Sequence, residues 1–89
     1  MKEWTKIFKA LGNESRLKMI RLLYPRKRLP VGAISREVGI TLKGASKHLV
    51  QLAGLNIFES EGKQGRVWYY VSPSLRTEVR HIIEKFLKN

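Results

Sequence analysis

The first two segments of the chain carry apolar residues at intervals of three and four, the spacing of one α-helical face. The first segment runs to Gly12, and its apolar face is formed by Trp4, Ile7, Phe8 and Leu11. Asn13 is a good N-cap residue for a second helix, which ends before Pro25 because the residue preceding a proline resists helical geometry. The inward positions of this second helix are Leu17, Ile20, Leu23 and Tyr24.

Two further helices follow a short basic loop. Leu29-Pro30 is predicted to open a third helix, which Gly39 ends, and its apolar side is Val31, Ile34 and Val38. Thr41 is predicted to cap a fourth helix, whose core positions are Leu42, Ala45, Leu49 and Leu52. Two helices joined by a glycine-containing turn of a few residues form a helix-turn-helix pattern.

The end of the fourth helix has two candidate stop signals. Gly54 is the usual one, but Asn56 also accepts left-handed geometry. We favour Asn56, because it keeps Leu55 on the helix and leaves Ile57 to start a strand.

The periodicity then changes to that of strands. The segments 57–61 and 66–71 are rich in β-branched and aromatic residues, and the glycine-bounded stretch 62–65 lies between them, which predicts a β-hairpin. Ser72-Pro73 is predicted to begin a last helix. The expected fold is mainly α with a small β-hairpin: a winged helix-turn-helix in the order helix-helix-helix-helix-strand-strand-helix, with residues 1–89 as a single domain.

Charge narrows the range of partners. The chain has 18 Lys and Arg against 7 Asp and Glu, a net charge of +11 on 89 residues. Such a surplus creates a positive field that favours nucleic acid or an anionic membrane, without choosing between them. Alternatively, the positive charge has no specific partner, and repulsion between cations only keeps the protein in solution.

The absence of cysteine excludes disulfides and thiolate metal sites. No apolar stretch is long enough for a signal peptide or a membrane span, so we expect a cytoplasmic, nucleoid-associated protein. Neither histidine is paired in sequence with a credible nucleophile, so no catalytic residue and no cofactor is predicted.

The polar face of the fourth helix is the first candidate DNA-binding surface. Its side chains include the kinds that reach base edges and phosphates in a major groove. They are Thr41, Lys43, Gly44, Ser46, Lys47, His48 and Gln51. The alternative is an ordinary solvated helix face, but the position of this helix after a helix and a tight turn favours DNA.

The hairpin is the second candidate DNA-binding surface. Lys63, Gln64 and Arg66 lie in or beside its turn, where cations contact a phosphate backbone or enter a minor groove. Glu59 and Glu61 would repel phosphate, so we expect them to face away or to pair with Lys63 and Arg66. The aromatic run 68–70 is more typical of core packing than of base stacking.

The terminal helices carry more large apolar surface than two peripheral helices need. An exposed apolar patch usually marks a partner surface, and a two-fold dimer would present two recognition helices to successive major grooves. The predicted dimer interface is Trp4, Ile7, Phe8, Leu11, Leu75, Val79, Ile82, Ile83 and Phe86. Alternatively, both helices only complete the monomer core.

Four segments in order resemble the ArsR-type family of winged helix-turn-helix transcriptional regulators. Residues 11–23 resemble the second-helix signature, and residues 29–41 resemble the next helix and turn. Residues 45–49 match a Ser-x-His-Leu element, and Gly65-Arg66 with Tyr70 match the wing. The resemblance implies a homodimer built through the first and last helices, which binds an imperfect inverted repeat, represses transcription and contacts DNA through Ser46, Lys47 and their neighbours.

The chain departs from the family pattern in the residues that would bind a regulatory metal ion. The family's cysteine site is impossible here, and the early paired ligands of its last-helix site are missing. Glu78, His81 and Glu84 share a face but fit ion pairing with Arg80 or Lys85 better than a metal site. No metal or small-molecule effector is therefore predicted.

Three functions remain open. The first is a sequence-specific dimeric regulator of transcription that binds double-stranded DNA. The second is a chromosomal protein that coats DNA with low specificity, since a charge of +11 is high for a repressor. The third is a winged-helix module that binds RNA or another protein. Discrimination between a preferred and a random duplex separates the first two functions.

Overall fold

The computed structural model describes residues 1–88 and contains five helices and a three-stranded sheet. The elements in chain order are α1 (Lys2–Leu11), α2 (Glu14–Leu23), β1 (Leu29–Pro30), α3 (Val31–Val38), α4 (Leu42–Gly54), β2 (Phe58–Lys63), β3 (Arg66–Val71) and α5 (Thr77–Leu87). Helices dominate, and α3 and α4 form the helix-turn-helix beside the hairpin. The predicted winged helix-turn-helix architecture is confirmed.

Local capping signals fix the helix-turn-helix. The Asn13 side chain accepts a hydrogen bond from the backbone N–H of Arg16 at 3.0 Å and caps α2. The Thr41 hydroxyl accepts one from the N–H of Gly44 at 3.0 Å and caps α4. Gly39 ends α3 with a φ of +81°, a left-handed conformation that glycine adopts without steric cost.

The sheet is antiparallel in the order β1-β3-β2 and has one strand that the sequence did not predict. Leu29-Pro30 is not the start of α3 but pairs with Tyr69 and Trp68 of β3. Proline lacks an N–H donor, and β1 is an edge strand, which is where a sheet tolerates proline. This strand packs the start of the helix-turn-helix against the wing.

The wing turn is tighter than the predicted stretch 62–65. Gly62 and Lys63 belong to β2, and Lys63 faces Arg66 across the ladder. Gln64 and Gly65 form a two-residue turn with φ of +54° and +71°, the pattern that matches the twist of a hairpin.

Two helix ends differ from the sequence prediction. Helix α4 ends at Gly54 and not at Asn56, although Asn56 supplies the expected left-handed turn with a φ of +60°. Helix α5 begins at Thr77 and not at Ser72-Pro73. Ser72 is buried, and its hydroxyl donates to the Glu59 carboxylate at 2.7 Å and accepts from the N–H of Ser74 at 3.1 Å, so it stabilises a turn and does not cap α5.

One apolar core joins all five helices and the two long strands. Its buried members are Ile7, Ala10, Met19, Ile20, Leu23, Ile34, Ala45, Leu49, Leu52, Ile57, Phe58, Tyr69, Val71, Leu75, Val79 and Ile83. Leu42 was predicted to be a core residue, but its side chain is 57% exposed and lines a cleft that also contacts the wing residues Arg66 and Val67. The core fixes α4 through one face and leaves its opposite face outside.

Candidate nucleic-acid interface

The outer face of α4 carries the strongest candidate contacts to DNA. Ala45, Leu49 and Leu52 are completely buried, which turns the opposite side of the helix outward. Lys43, Lys47 and Gln51 are exposed there. Val50 lies among them with 61% of its surface exposed. Of the predicted polar face, Thr41 is also exposed, whereas Gly44, Ser46 and His48 are half-buried. The sequence analysis did not single out Val50.

Arg16 of α2 lies beside this face and binds two of its residues. Its Nε donates to Nδ1 of His48 at 3.0 Å, and its Nη2 donates to Oε1 of Gln51. Its Nη1 lies 3.5 Å from the carbonyl oxygens of Lys9 and Ala10 at the end of α1. One guanidinium therefore connects α1, α2 and α4.

His48 is held in its neutral form by its surroundings. It is half-buried, and this burial lowers its imidazole pKa below the ordinary value of 6.5. The positive charges of Arg16 and Lys47 lower this pKa further. The neutral ring accepts from Arg16 at Nδ1, which leaves the proton on Nε2.

A cleft of about 430 Å³ separates α4 from the wing. Ser46 and Arg66 both line it, so the structure brings together one predicted residue from each candidate surface. The exposed parts of Leu42 and Val67 form part of its apolar wall, and Arg36 of α3 adds a further cation.

The wing tip presents the three predicted residues, Lys63, Gln64 and Arg66, all of them exposed. The indole N–H of Trp68 donates to the carbonyl oxygen of Lys63 at 3.1 Å and ties the backbone beside the turn. The long side chains of the tip extend from a backbone that is held in place.

The wing carboxylates have other partners than those predicted. Glu61 pairs with Arg28 at 3.2 Å, and Glu59 accepts hydrogen bonds from Ser72 and Tyr70. The Arg28 guanidinium also stacks on the Tyr70 ring, 3.8 Å from its centroid. Because these contacts engage both carboxylates away from the tip, the charge at the tip is positive.

The predicted dimer residues divide into two groups. Ile7, Leu75, Val79 and Ile83 are buried in the monomer core, so they are not available for a direct subunit contact. The accessible group is Trp4, Phe8, Leu11, Ile82 and Phe86, of which Phe8 is 56% exposed. Arg76 pairs with Glu3 and stacks on Trp4, which holds the entrance to α5 against α1.

The acidic residues of α5 are engaged separately. Glu84 accepts a hydrogen bond from the Tyr24 hydroxyl, and Glu78 lies 4.0 Å from Arg76. Arg80 of the same helix donates to the Tyr24 hydroxyl at 3.4 Å, so it lies in the same cluster as Glu84. Over residues 1–88, no group of three or more His, Asp or Glu side chains is arranged to hold a metal ion.

Arg16 is the interface residue that the sequence analysis missed. It lies 32 residues from His48 and 35 from Gln51, so no local spacing relates them. Its place in the segment that resembles the second-helix signature was the one signal available, and that signal gives no role.

The fold and the exposed cationic face define a winged helix-turn-helix protein. HlyU from Vibrio cholerae N16961 superposes with a TM-score of 0.83 and 26% identity over 98% of this chain and 90% of that chain. The homodimeric winged helix-turn-helix domain of Mb0332 from Mycobacterium bovis is described as a possible ArsR-family transcriptional regulator. It superposes with a TM-score of 0.79 and 25% identity, over 96% of this chain and 75% of that chain. The transcriptional repressor PagR of Bacillus anthracis superposes with a TM-score of 0.75 and 21% identity, over 96% of this chain and 93% of that chain. At this identity the comparison shows a similar fold only.

These relatives confirm the resemblance to ArsR-type winged-helix regulators. PagR is described as a transcriptional repressor and Mb0332 as a possible transcriptional regulator, which agrees with the prediction that the chain is not an enzyme. No protein-family model matches the chain, and no similar sequence was found among curated proteins. None of the helices within residues 1–88 has the length and apolar character needed to cross a bilayer.

Proposed function

We propose that this chain is a homodimeric regulator that binds double-stranded DNA at an inverted repeat and represses transcription. Residues 1–89 act as one DNA-binding domain on chromosomal DNA in the cytoplasm, in association with the nucleoid. The observation that carries the proposal is the exposed row Lys43, Lys47 and Gln51 on a helix whose opposite face is buried, with the cationic wing tip across an adjacent cleft.

The helix and the wing have different roles in this proposal. Lysine and glutamine on α4 reach base edges in the major groove, and Thr41 and Ser46 lie near the start of the helix, where phosphate is favoured. The wing residues Lys63, Gln64 and Arg66 are exposed on a fixed backbone and contact the phosphate backbone beside the groove. Gly44 carries no side chain and permits close approach to the duplex.

The test of base reading is selection of bound duplexes from a randomised pool, followed by comparison of the selected and random duplexes at two salt concentrations. We expect an inverted-repeat consensus and discrimination of about a thousandfold or more. Half-sites should be centred about one helical turn apart, since two recognition helices of a dimer enter successive major grooves.

The test of dimerisation is the substitution Phe8→Glu. Phe8 is 56% exposed in the monomer, so a charge there leaves the core intact but lies within the proposed interface. We expect a dimer for the unmodified chain and a folded monomer for the variant by analytical ultracentrifugation. Lys6→Gln, at an exposed position of the same helix outside the proposed apolar contact, also lowers the net charge by one and is the control. A variant that stays dimeric contradicts this interface.

The second candidate function is DNA coating with low specificity, favoured by the net charge of +11. The same selection separates it from the first. An absence of consensus, with affinity that falls steeply and equally with salt for every duplex, would support coating. Preference for structured RNA over duplex DNA would support an RNA-binding module.

A further inference from the structure

The Arg16 guanidinium has a chemical property that constrains both of its side-chain partners on α4. Its nitrogens are all donors, so any group within hydrogen-bond distance of them must present an acceptor. Nδ1 of His48 and Oε1 of Gln51 are those acceptors. Histidine and glutamine are otherwise ambivalent, since each side chain offers both a donor and an acceptor. Contact with Arg16 removes that ambivalence.

We propose that Arg16 is a specificity-determining positioning residue, which turns His48 and Gln51 into hydrogen-bond donors toward DNA. This inference rests on the proposed function, because it assumes that the outer face of α4 meets a duplex. The neutral His48 ring keeps its proton on Nε2, the nitrogen that does not face Arg16. The Gln51 amide turns its oxygen to Arg16 and leaves its NH₂ group for the duplex.

Donor character selects particular base edges. In the major groove, guanine presents two acceptors, N7 and O6, whereas adenine presents the acceptor N7 beside the donor N6–H₂. A glutamine that is free to rotate reads adenine with both ends of its amide. Because the oxygen of Gln51 is engaged by Arg16, Gln51 is suited to guanine acceptors and loses its usual match to adenine.

Arg16 also fixes the position of the donor groups of His48 and Gln51. Its contacts with the carbonyl oxygens of Lys9 and Ala10 attach the guanidinium to the end of α1. The contact with His48 is part-buried and so is partly shielded from competing water, whereas the contact with Gln51 is exposed. Arg16 itself need not touch DNA to influence which base is read.

The first measurement uses the free protein and does not depend on DNA. Nitrogen-15 chemical shifts of the imidazole, in a sample labelled at histidine and held above the pH range where the ring titrates, report which nitrogen carries the proton. We expect the Nε2–H tautomer for His48 and a mixture of tautomers in Arg16→Met. A predominant Nδ1–H tautomer in the unmodified chain would overturn the proposal, even if the variant fails to fold.

The second measurement repeats duplex selection with Arg16→Met, Arg16→Lys and the control Arg26→Met. Arg26 lies exposed in the loop after α2, so its replacement removes the same charge away from α4. We expect Arg16→Met to lose guanine preference at one position of each half-site by about tenfold and to admit adenine there. Arg16→Lys should not restore the preference, because one ammonium cannot replace the guanidinium fork.

A gain of adenine binding separates positioning from simple destabilisation, which would weaken all duplexes alike. A second substitution tests whether this effect depends on Gln51. In the Gln51→Ala background, Arg16→Met should no longer change the preference between guanine and adenine. An unchanged preference in Arg16→Met, or full rescue by Arg16→Lys, would overturn the inference. Failure of the unmodified chain to select any consensus would instead overturn the proposed function, and the imidazole measurement would still decide whether the Arg16 contact exists.

Discussion

Helix α4 and the wing tip both present exposed lysine or arginine side chains, but only α4 also presents polar side chains that are fixed by hydrogen bonds. On α4, two polar side chains are themselves fixed by hydrogen bonds to Arg16 across 32 and 35 residues of sequence. At the wing tip, the backbone is fixed by the Trp68 indole and by a two-residue turn, while Lys63 and Arg66 extend into solvent. Fixed side chains suit discrimination between bases, and long mobile cations suit a uniform attraction to phosphate. The two surfaces should therefore respond differently to substitution.

The largest effect is expected at Lys47, which is exposed on the outer face of α4. Lys47→Ala should weaken binding to the selected duplex by about 1 to 3 kcal/mol, the typical value of a specific base contact. Affinity for random duplexes should fall only by the contribution of one neutralised phosphate. Fluorescence anisotropy with both duplexes measures the two losses, and equal losses would contradict base reading by α4.

The next effect concerns the backbone of the wing. Gly65→Ala places a side chain at a φ of +71°, and left-handed geometry costs about 1 to 2 kcal/mol in an L-residue. Gly62→Ala is the matched control, because it adds the same methyl group into equally open space without a positive φ. Urea denaturation should show a loss of stability for Gly65→Ala and not for Gly62→Ala.

Binding by the Gly65→Ala variant would sharpen the same comparison. A distorted wing should lower affinity for selected and random duplexes together and leave the base preference unchanged, since α4 is untouched. A changed consensus would mean that the wing, and not only α4, reads sequence.

The local signals of the sequence were sufficient for most of this architecture. Asn13, Thr41 and Gly39 act within a few residues of themselves, so their caps and turn follow from residue type. The outward face of α4 also follows, because helical periodicity fixes it once Ala45 and Leu49 are assigned to the core. The exposed wing residues follow in the same way from the hairpin pattern.

The errors came from contacts between distant segments. The pairing of Leu29-Pro30 with β3 depends on the placement of residues about 40 positions away. Ser72 was predicted to be a helix cap, but its hydroxyl donates a hydrogen bond to the Glu59 carboxylate, 13 residues earlier, and lies in a buried turn. Likewise, the Arg16 contacts arise where α2 crosses α4. Periodicity gives no information on any of these pairings.

A smaller and less selective effect is expected at Arg66. Arg66→Ala should weaken selected and random duplexes about equally and should lower the slope of log affinity against log salt by about 1, as the loss of a phosphate contact does. Titrations at several salt concentrations measure the slope. A loss confined to the selected duplex would mean that Arg66 reads bases, and the distinction between wing and helix would fail.

The smallest expected effect is a pH dependence due to histidine, which only the α4 side of the comparison carries. The chain has two histidines, His48 and His81, and neither lies in the wing. Burial, followed by the charges of Arg16 and Lys47, lowers the pKa of His48 below its ordinary value of 6.5. The unfolded chain thus binds a proton at this residue more readily than the folded chain does.

The sign of the effect follows from that difference. The neutral His48 contributes its full stability above about pH 6.5, and this contribution is lost as the pH falls from 6.5 through the lower pKa of the folded state. To isolate the contribution of His48, the test compares urea midpoints of the unmodified chain and His48→Gln from pH 8 downward. The difference between them should shrink as the pH falls, because only the unmodified chain loses the contact between Arg16 and a neutral imidazole. A constant difference would show that His48 protonation does not weaken this contact, and no histidine would then distinguish α4 from the wing in its response to acid.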